Sequence, residues 1–202
     1  MFVLIRWGHR PTDALAVPLS QLDVGHGADE ATSEAVADWR YSDRSSLTPD
    51  AVAYLDSSAR WFRTEGGYIA EQSTRPNTLA VALGDSPAGL AAWIVEKLQS
   101  WSDESAFTMD ELLTWVTAYW ATGTIGTSFG PYTEPAALPE RVETPTILSV
   151  FAHDIKPEPR SYAEAFLNIR GYVQHRAGGH FAAWEQPGAY ADDVRRAVKI
   201  GG

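Results

Sequence analysis

The chain has 202 residues, 45% of them hydrophobic, enough to bury a sizeable core as one domain or a large subdomain, which excludes a disordered polypeptide. Sixteen Lys and Arg against twenty-six Asp and Glu leave a formal charge of -10, which disfavours nucleic acid and anionic membrane and leaves neutral or apolar small molecules as permitted ligands. The absence of cysteine excludes disulfide frameworks, thiolate metal sites and cysteine nucleophiles, and fits a cytoplasmic protein.

No apolar run approaches the roughly 20 residues that a membrane span needs. The opening Met1-Phe2-Val3-Leu4-Ile5-Arg6 is too short for a signal core, so a soluble protein is expected. Residues 1–47 combine one apolar run, Phe2 to Ile5, with the polar stretch Asp23 to Glu30, and predict a single short strand followed by irregular structure.

Thr48-Pro49-Asp50 supplies an N-cap, a proline for the first helical position and an acid for the first turn. Val52, Leu55, Ala59 and Phe62 follow at helical spacing, so a helix is predicted from 49 to 63, ended by Gly66-Gly67. A second start lies at Asp85-Ser86-Pro87, followed by a broad apolar face of Leu90, Ala91, Ile94, Val95 and Leu98 with Trp93 and Trp101 at its flank and end.

Thr108-Met109-Asp110-Glu111 reads as a capping box opening a helix over 109–121, with Leu112, Leu113, Val116, Tyr119 and Trp120 expected to be largely buried. Prolines 131, 135, 139 and 145 predict a loop over 131–145. Beyond it the pattern changes to a strand over 146–151, a short helix from Ser161 to Phe166, a strand around 171–175 and a final helix from Pro187 to Val198. The expected division is an atypical segment over 1–47, a helical region over 48–140 and an α/β region over 141–202.

The chemistry concentrates near the C-terminus. His180 follows Gly178-Gly179 and precedes a helical segment, a setting that leaves an imidazole in a cleft for general-base work. Asp154 closes the apolar run 147–151 through a short turn, where α/β folds present functional side chains, and precedes His180 by 26 residues. An acid in that place would hold the ring in the useful tautomer and stabilise its cation. The structural alternative is that Asp154 caps the segment before Pro157 and that His180 packs.

Tyr68 follows Gly66-Gly67 and Tyr132 follows Pro131; from spacing alone, amphipathic packing is their plainer role. The five histidines, His9, His26, His153, His175 and His180, show no ligand spacing, so no metal or other cofactor is expected. His153 beside Asp154 reads as incidental.

Three longer stretches agree jointly with a known family. Gly67 to Leu79, Asp85 to Lys97 and Tyr119 to Ile125 are similar to the cap region of microsomal-type epoxide hydrolases, and Gly178 to Glu185 resembles that family's histidine segment. The resemblance covers residues 48–199 in the right order. It implies an incomplete α/β-hydrolase fold, a helical cap followed by the last strands and helices of the sheet.

The implied reaction opens a small apolar epoxide to a diol: an aspartate attacks an epoxide carbon, two cap tyrosines polarise the oxygen, and a histidine–acid pair activates water against the ester. By matching motif, Tyr68 and Tyr132 would be the phenols, Asp154 the acid and His180 the base. Trp93, Trp120 and Phe181 would line or support an apolar pocket.

The sequence departs from the family before the cap. The oxyanion segment and the Gly-Gly-Asp-Trp-Gly nucleophile elbow are both missing, and Val3 to Pro11 has the wrong order for the former. Asp29 is the nearest candidate nucleophile, without a preceding apolar strand or a following glycine. Within the cap and core, Trp115, Gly130 and Ala152 replace the small polar residue, arginine and proline expected there.

Three readings stay open at this point. The chain is the C-terminal half of an epoxide hydrolase, truncated and inactive alone; or a non-catalytic binding or interaction module derived from the cap, self-associating through an exposed sheet edge; or a hydrolase of another class using Asp29, Ser45 or Ser46.

Overall fold

The computed structural model describes residues 2–6, 14–18, 44–103, 106–133 and 141–200, the first two segments by their backbone alone. Asp29, His9, His26 and most of the irregular stretch expected after the first strand, 7–13 and 19–43, lie outside the described residues. The strands are β1 (Phe2–Arg6), β2 (Ala14–Pro18), β3 (Val142–Phe151) and β4 (Leu167–His175), ordered β2-β1-β3-β4 in one sheet. Strand β2 corrects the expectation of a single N-terminal strand: Ala14 to Pro18 pairs antiparallel with β1 on the edge that β3 leaves open.

β1 runs antiparallel to β3, whereas β3 and β4 are parallel. A parallel pair requires a crossover, and here it contains the short helix α7 (Arg160–Ala163). The strand β3 starts four residues earlier than the apolar run predicts and includes Pro145, which therefore does not belong to a loop. Register shifts between Val142 and Pro145, and between Thr146 and Ile147, accommodate the missing proline N–H.

Period-two alternation sends β3 side chains to both faces. Leu148 and Val150 pack with Ala163 and Leu167 on one side. Ile147 packs with Ala197 on the other, beneath α9 (Pro187–Lys199). The buried carboxylate of Asp193 ties α9 to the sheet: it accepts from Ser149 Oγ at 2.7 Å, lies 2.5 Å from His175 Nε2, and pairs with Arg196 at 3.2 Å.

Between the strands lie α1 (Pro49–Glu65), α2 (Gly67–Thr74), α3 (Pro76–Asp85), α4 (Pro87–Ser100), α5 (Met109–Thr122) and α6 (Gly130–Thr133). Pro49, Pro76 and Pro87 each open a helix, where the absent N–H costs nothing. The capping box at Thr108 and Glu111 is formed as read from the sequence, and Gly123 ends α5 in the left-handed conformation.

A separate helical core joins Leu83, Leu90, Val116, Ile125 and Phe129. Leu112 and Val116, one turn apart, occupy the buried face of α5. Leu113 and Trp120, seven residues apart, share another face and are exposed, which corrects their expected burial. Among the described residues no single helix is long and apolar enough to cross a membrane.

Candidate active site

Because β3 and β4 are parallel and adjacent, their C-terminal ends open on the same edge of the sheet. The turn after β3 carries Asp154, and the turn after β4 carries His180. The two turns are joined by the His153 N–H donating to the Gly178 carbonyl at 3.0 Å. His180 Nδ1 lies 3.0 Å from Asp154 Oδ1, which also accepts from the Ile155 N–H at 2.7 Å. The ring is mostly enclosed and the carboxylate almost fully so.

Burial, with the charge of Lys156 in support, pushes the His180 imidazole down to about 3, so the ring is neutral at physiological pH. Glu185 acts in the opposite direction. With Nδ1–H directed at Asp154, Nε2 keeps its lone pair for a proton acceptor's role.

Two glycines allow the His180 turn to fit. Gly178 has φ +94°, and a Cβ there would sit 2.8 Å from both Phe151 and Gln186 side-chain carbons. A Cβ on Gly179 would approach the Trp101 carbonyl oxygen to 2.6 Å, so only glycine lets the segment after α4 come this close.

Above His180 lies an aromatic cluster. The Trp101 ring meets the imidazole edge-on at 5.4 Å, Tyr68 is 5.2 Å from Trp101, and Tyr132 is 6.0 Å from Tyr68. Tyr68 starts from the first turn of α2 and Tyr132 from α6. Burial raises the pKa of both phenols and keeps them protonated; the hydrogen bond between them raises Tyr68 further and acts in the opposite direction on Tyr132.

All four sequence-predicted site residues, Tyr68, Tyr132, Asp154 and His180, are thereby brought into one connected set. Phe181 joins it, 5.3 Å from the His180 ring, whereas Trp93 packs into the helical core and Trp120 is exposed. Ser45 and Ser46 lie on an exposed turn. Ser149, Asp193 and His175 do not form a nucleophilic relay, since serine and histidine both address the same carboxylate oxygen.

The chain is similar to known epoxide hydrolases in sequence and in structure. Over 152 residues the chain is 36% identical to epoxide hydrolase 1 of Sus scrofa, covering 65% of this chain and 34% of that protein. It is 33% identical over 222 residues to juvenile hormone epoxide hydrolase 2 of Ctenocephalides felis, covering 96% of this chain and 48% of the other. The solved structure of Aspergillus niger epoxide hydrolase superposes with a TM-score of 0.69 at 31% identity, over 78% of this chain and 42% of that one.

The chain belongs to the epoxide hydrolase family. It corresponds to the C-terminal part of these enzymes, with a partial α/β-hydrolase fold. It spans between about a third and a half of the length of the curated relatives it matches. No family model matches the sequence.

Several residues of this epoxide hydrolase segment escaped the sequence reading. Gln72, buried one helical turn after Tyr68, hydrogen-bonds Tyr132. Lys97 places its ammonium 5.1 Å from the Tyr68 ring and 5.4 Å from Trp101. Glu185 and Asp103 bind the backbone around His180. For Gln72, its i,i+4 spacing from Tyr68 was the available signal; the contacts of Lys97 with Tyr68 and of Asp103 with Gly178 and Glu185 are long-range. Among the described residues no group of three or more His, Cys, Asp or Glu could hold a metal ion.

Proposed function

We propose that these residues form the epoxide-polarising and water-activating part of an epoxide hydrolase site. Tyr68 and Tyr132 donate to the epoxide oxygen and stabilise the alkoxide that develops as the ring opens. His180, oriented by Asp154, takes a proton from water as that water attacks the carbonyl carbon of an aspartyl ester, releasing the diol and regenerating the carboxylate. Aromatic groups around them select a small apolar epoxide.

The observation that carries this reading is the neutral imidazole 3.0 Å from a buried carboxylate, linked through Trp101 to the paired phenols. A neutral base, a cation-stabilising acid and two protonated donors are the groups that epoxide opening and ester hydrolysis require. The covalent step also needs a nucleophilic carboxylate. The 202 residues contain no strand–Gly-X-Asp-X-Gly elbow.

We therefore expect negligible diol formation by this polypeptide alone. The test uses His180→Gln, which would preserve any ester by removing the water-activating base. Incubated with styrene oxide and analysed by intact mass, neither the parent chain nor H180Q should gain the mass of the epoxide. An ester accumulating on H180Q would place a working nucleophile within the chain and overturn its assignment as inactive alone.

A further inference from the structure

His180 lies in a run of four backbone N–H groups, each held by an acceptor outside ordinary helix or strand pairing. Gly178 donates to Asp103 Oδ2 at 2.9 Å, Gly179 to Glu185 Oε2 at 2.8 Å, His180 to the Trp101 carbonyl at 2.8 Å, and Phe181 to Glu185 Oε1 at 2.8 Å. Glu185 Oε2 also accepts from the Asp103 N–H at 2.7 Å, the third bond to this carboxylate.

These contacts cross between two parts of the fold. Trp101 and Asp103 belong to the segment leaving α4, while Glu185 ends the four-residue helix α8 (Ala182–Glu185) beside the sheet. The Glu185 carboxylate thus holds N–H groups on both sides of His180 and, at the same time, the segment whose Trp101 ring meets the imidazole. Asp103 reciprocates from the opposite direction.

We propose that Glu185, with Asp103, is a positioning residue that fixes the His180 imidazole against Asp154 and beneath the phenols. The inference rests on His180 being the base of the proposed reaction. Glu185 does not touch the reacting atoms. It acts by clamping the backbone on either side of the base, so that the ring is held from the helical side as well as from the sheet.

Glutamine is the discriminating replacement. It preserves size but leaves one acceptor oxygen where the carboxylate has two, and turns an NH2 group toward backbone N–H donors. The positional clamp is lost while the packing of Phe181 and Trp184 is retained.

The experiment is nitrogen-15 NMR of the His180 ring at fixed pH 7.5, together with amide hydrogen exchange, in the full chain. In the parent chain the ring should show a single Nδ1–H tautomer. In Glu185→Gln the two ring nitrogens should move toward the averaged shifts of a mixed tautomer, and amides 103, 179 and 181 should exchange at least tenfold faster. Amides of β3 and β4 should keep their protection.

Faster exchange with unchanged ring-nitrogen shifts would reduce Glu185 to a structural role and overturn the proposal. If E185Q does not fold, Asp103→Ala supplies the same readout, with Asp103→Asn, whose carbonyl still accepts from Gly178, expected to restore the parent shifts. Unchanged shifts in D103A, or no restoration in D103N, would equally overturn it. Asp154→Asn tests the underlying reading separately: if its His180 shifts match the parent chain, the acid–base pairing fails, whatever the Glu185 variants do.

Discussion

At the scale of single residues, the site rests on opposite demands placed on neighbouring groups. Desolvation favours a neutral imidazole at His180, while the carboxylate of Asp154 remains close enough to stabilise the cation that the proposed water activation would form. The same desolvation keeps Tyr68 and Tyr132 protonated, and therefore able to donate. This has a consequence for stability. The His180 pKa falls from 6.5 to about 3 on folding, so the unfolded chain takes up this proton first as the pH drops. Its contribution is present above pH 6.5 and is lost progressively towards pH 3. Urea midpoints measured across that window should decline more steeply in the parent chain than in H180Q, whose side chain does not titrate. Equal slopes would show that the imidazole is not held neutral.

At the scale of elements, caps and prolines set most helix starts. In α5, the Thr108 side chain accepts from the Glu111 N–H, while the Glu111 carboxylate accepts from the Thr108 N–H at 2.8 Å. Thr108→Ala removes the first of these bonds and leaves an exposed helix start, so a loss of about 1 kcal/mol is expected in urea unfolding. A loss below experimental error would deny the box a role in stability. That box, the Ser86 cap and the start at Pro49 were legible because each depends on residues within one turn. Helices α2 and α3 were not predicted, because Gly66-Gly67 reads as a terminator and Arg75 is a poor cap, yet the chain resumes helix at Gly67 and Pro76. Pro145 misled for a related reason: its tolerance inside β3 depends on register shifts that only the paired strands reveal. Exposure of Leu113 and Trp120 depended on which face of α5 meets α4, and a generally apolar helix does not disclose that choice.

For the whole molecule, two cores are placed so that one seam between them carries the proposed chemistry. The sheet brings Asp154 and His180 together because β3 and β4 are parallel; the helices supply Tyr68, Trp101 and Tyr132. The four candidate site residues were legible through the family resemblance, and the structure brings them close to one another. Glu185 and Asp103 could not be assigned in that way: they are 82 positions apart in sequence and meet only when both cores are in place. The central claim is that the two phenols present a paired donor site to an epoxide oxygen. Titration of the chain with styrene oxide, followed through the fluorescence of Trp61 and Trp101 beside Tyr68, tests it most directly. Loss of one net hydrogen bond of about 1.4 kcal/mol corresponds to roughly tenfold in affinity. Tyr68→Phe and Tyr132→Phe should each weaken binding by about that factor, and the pair by more. Equal affinity in the parent chain and the doubly substituted chain would contradict the account.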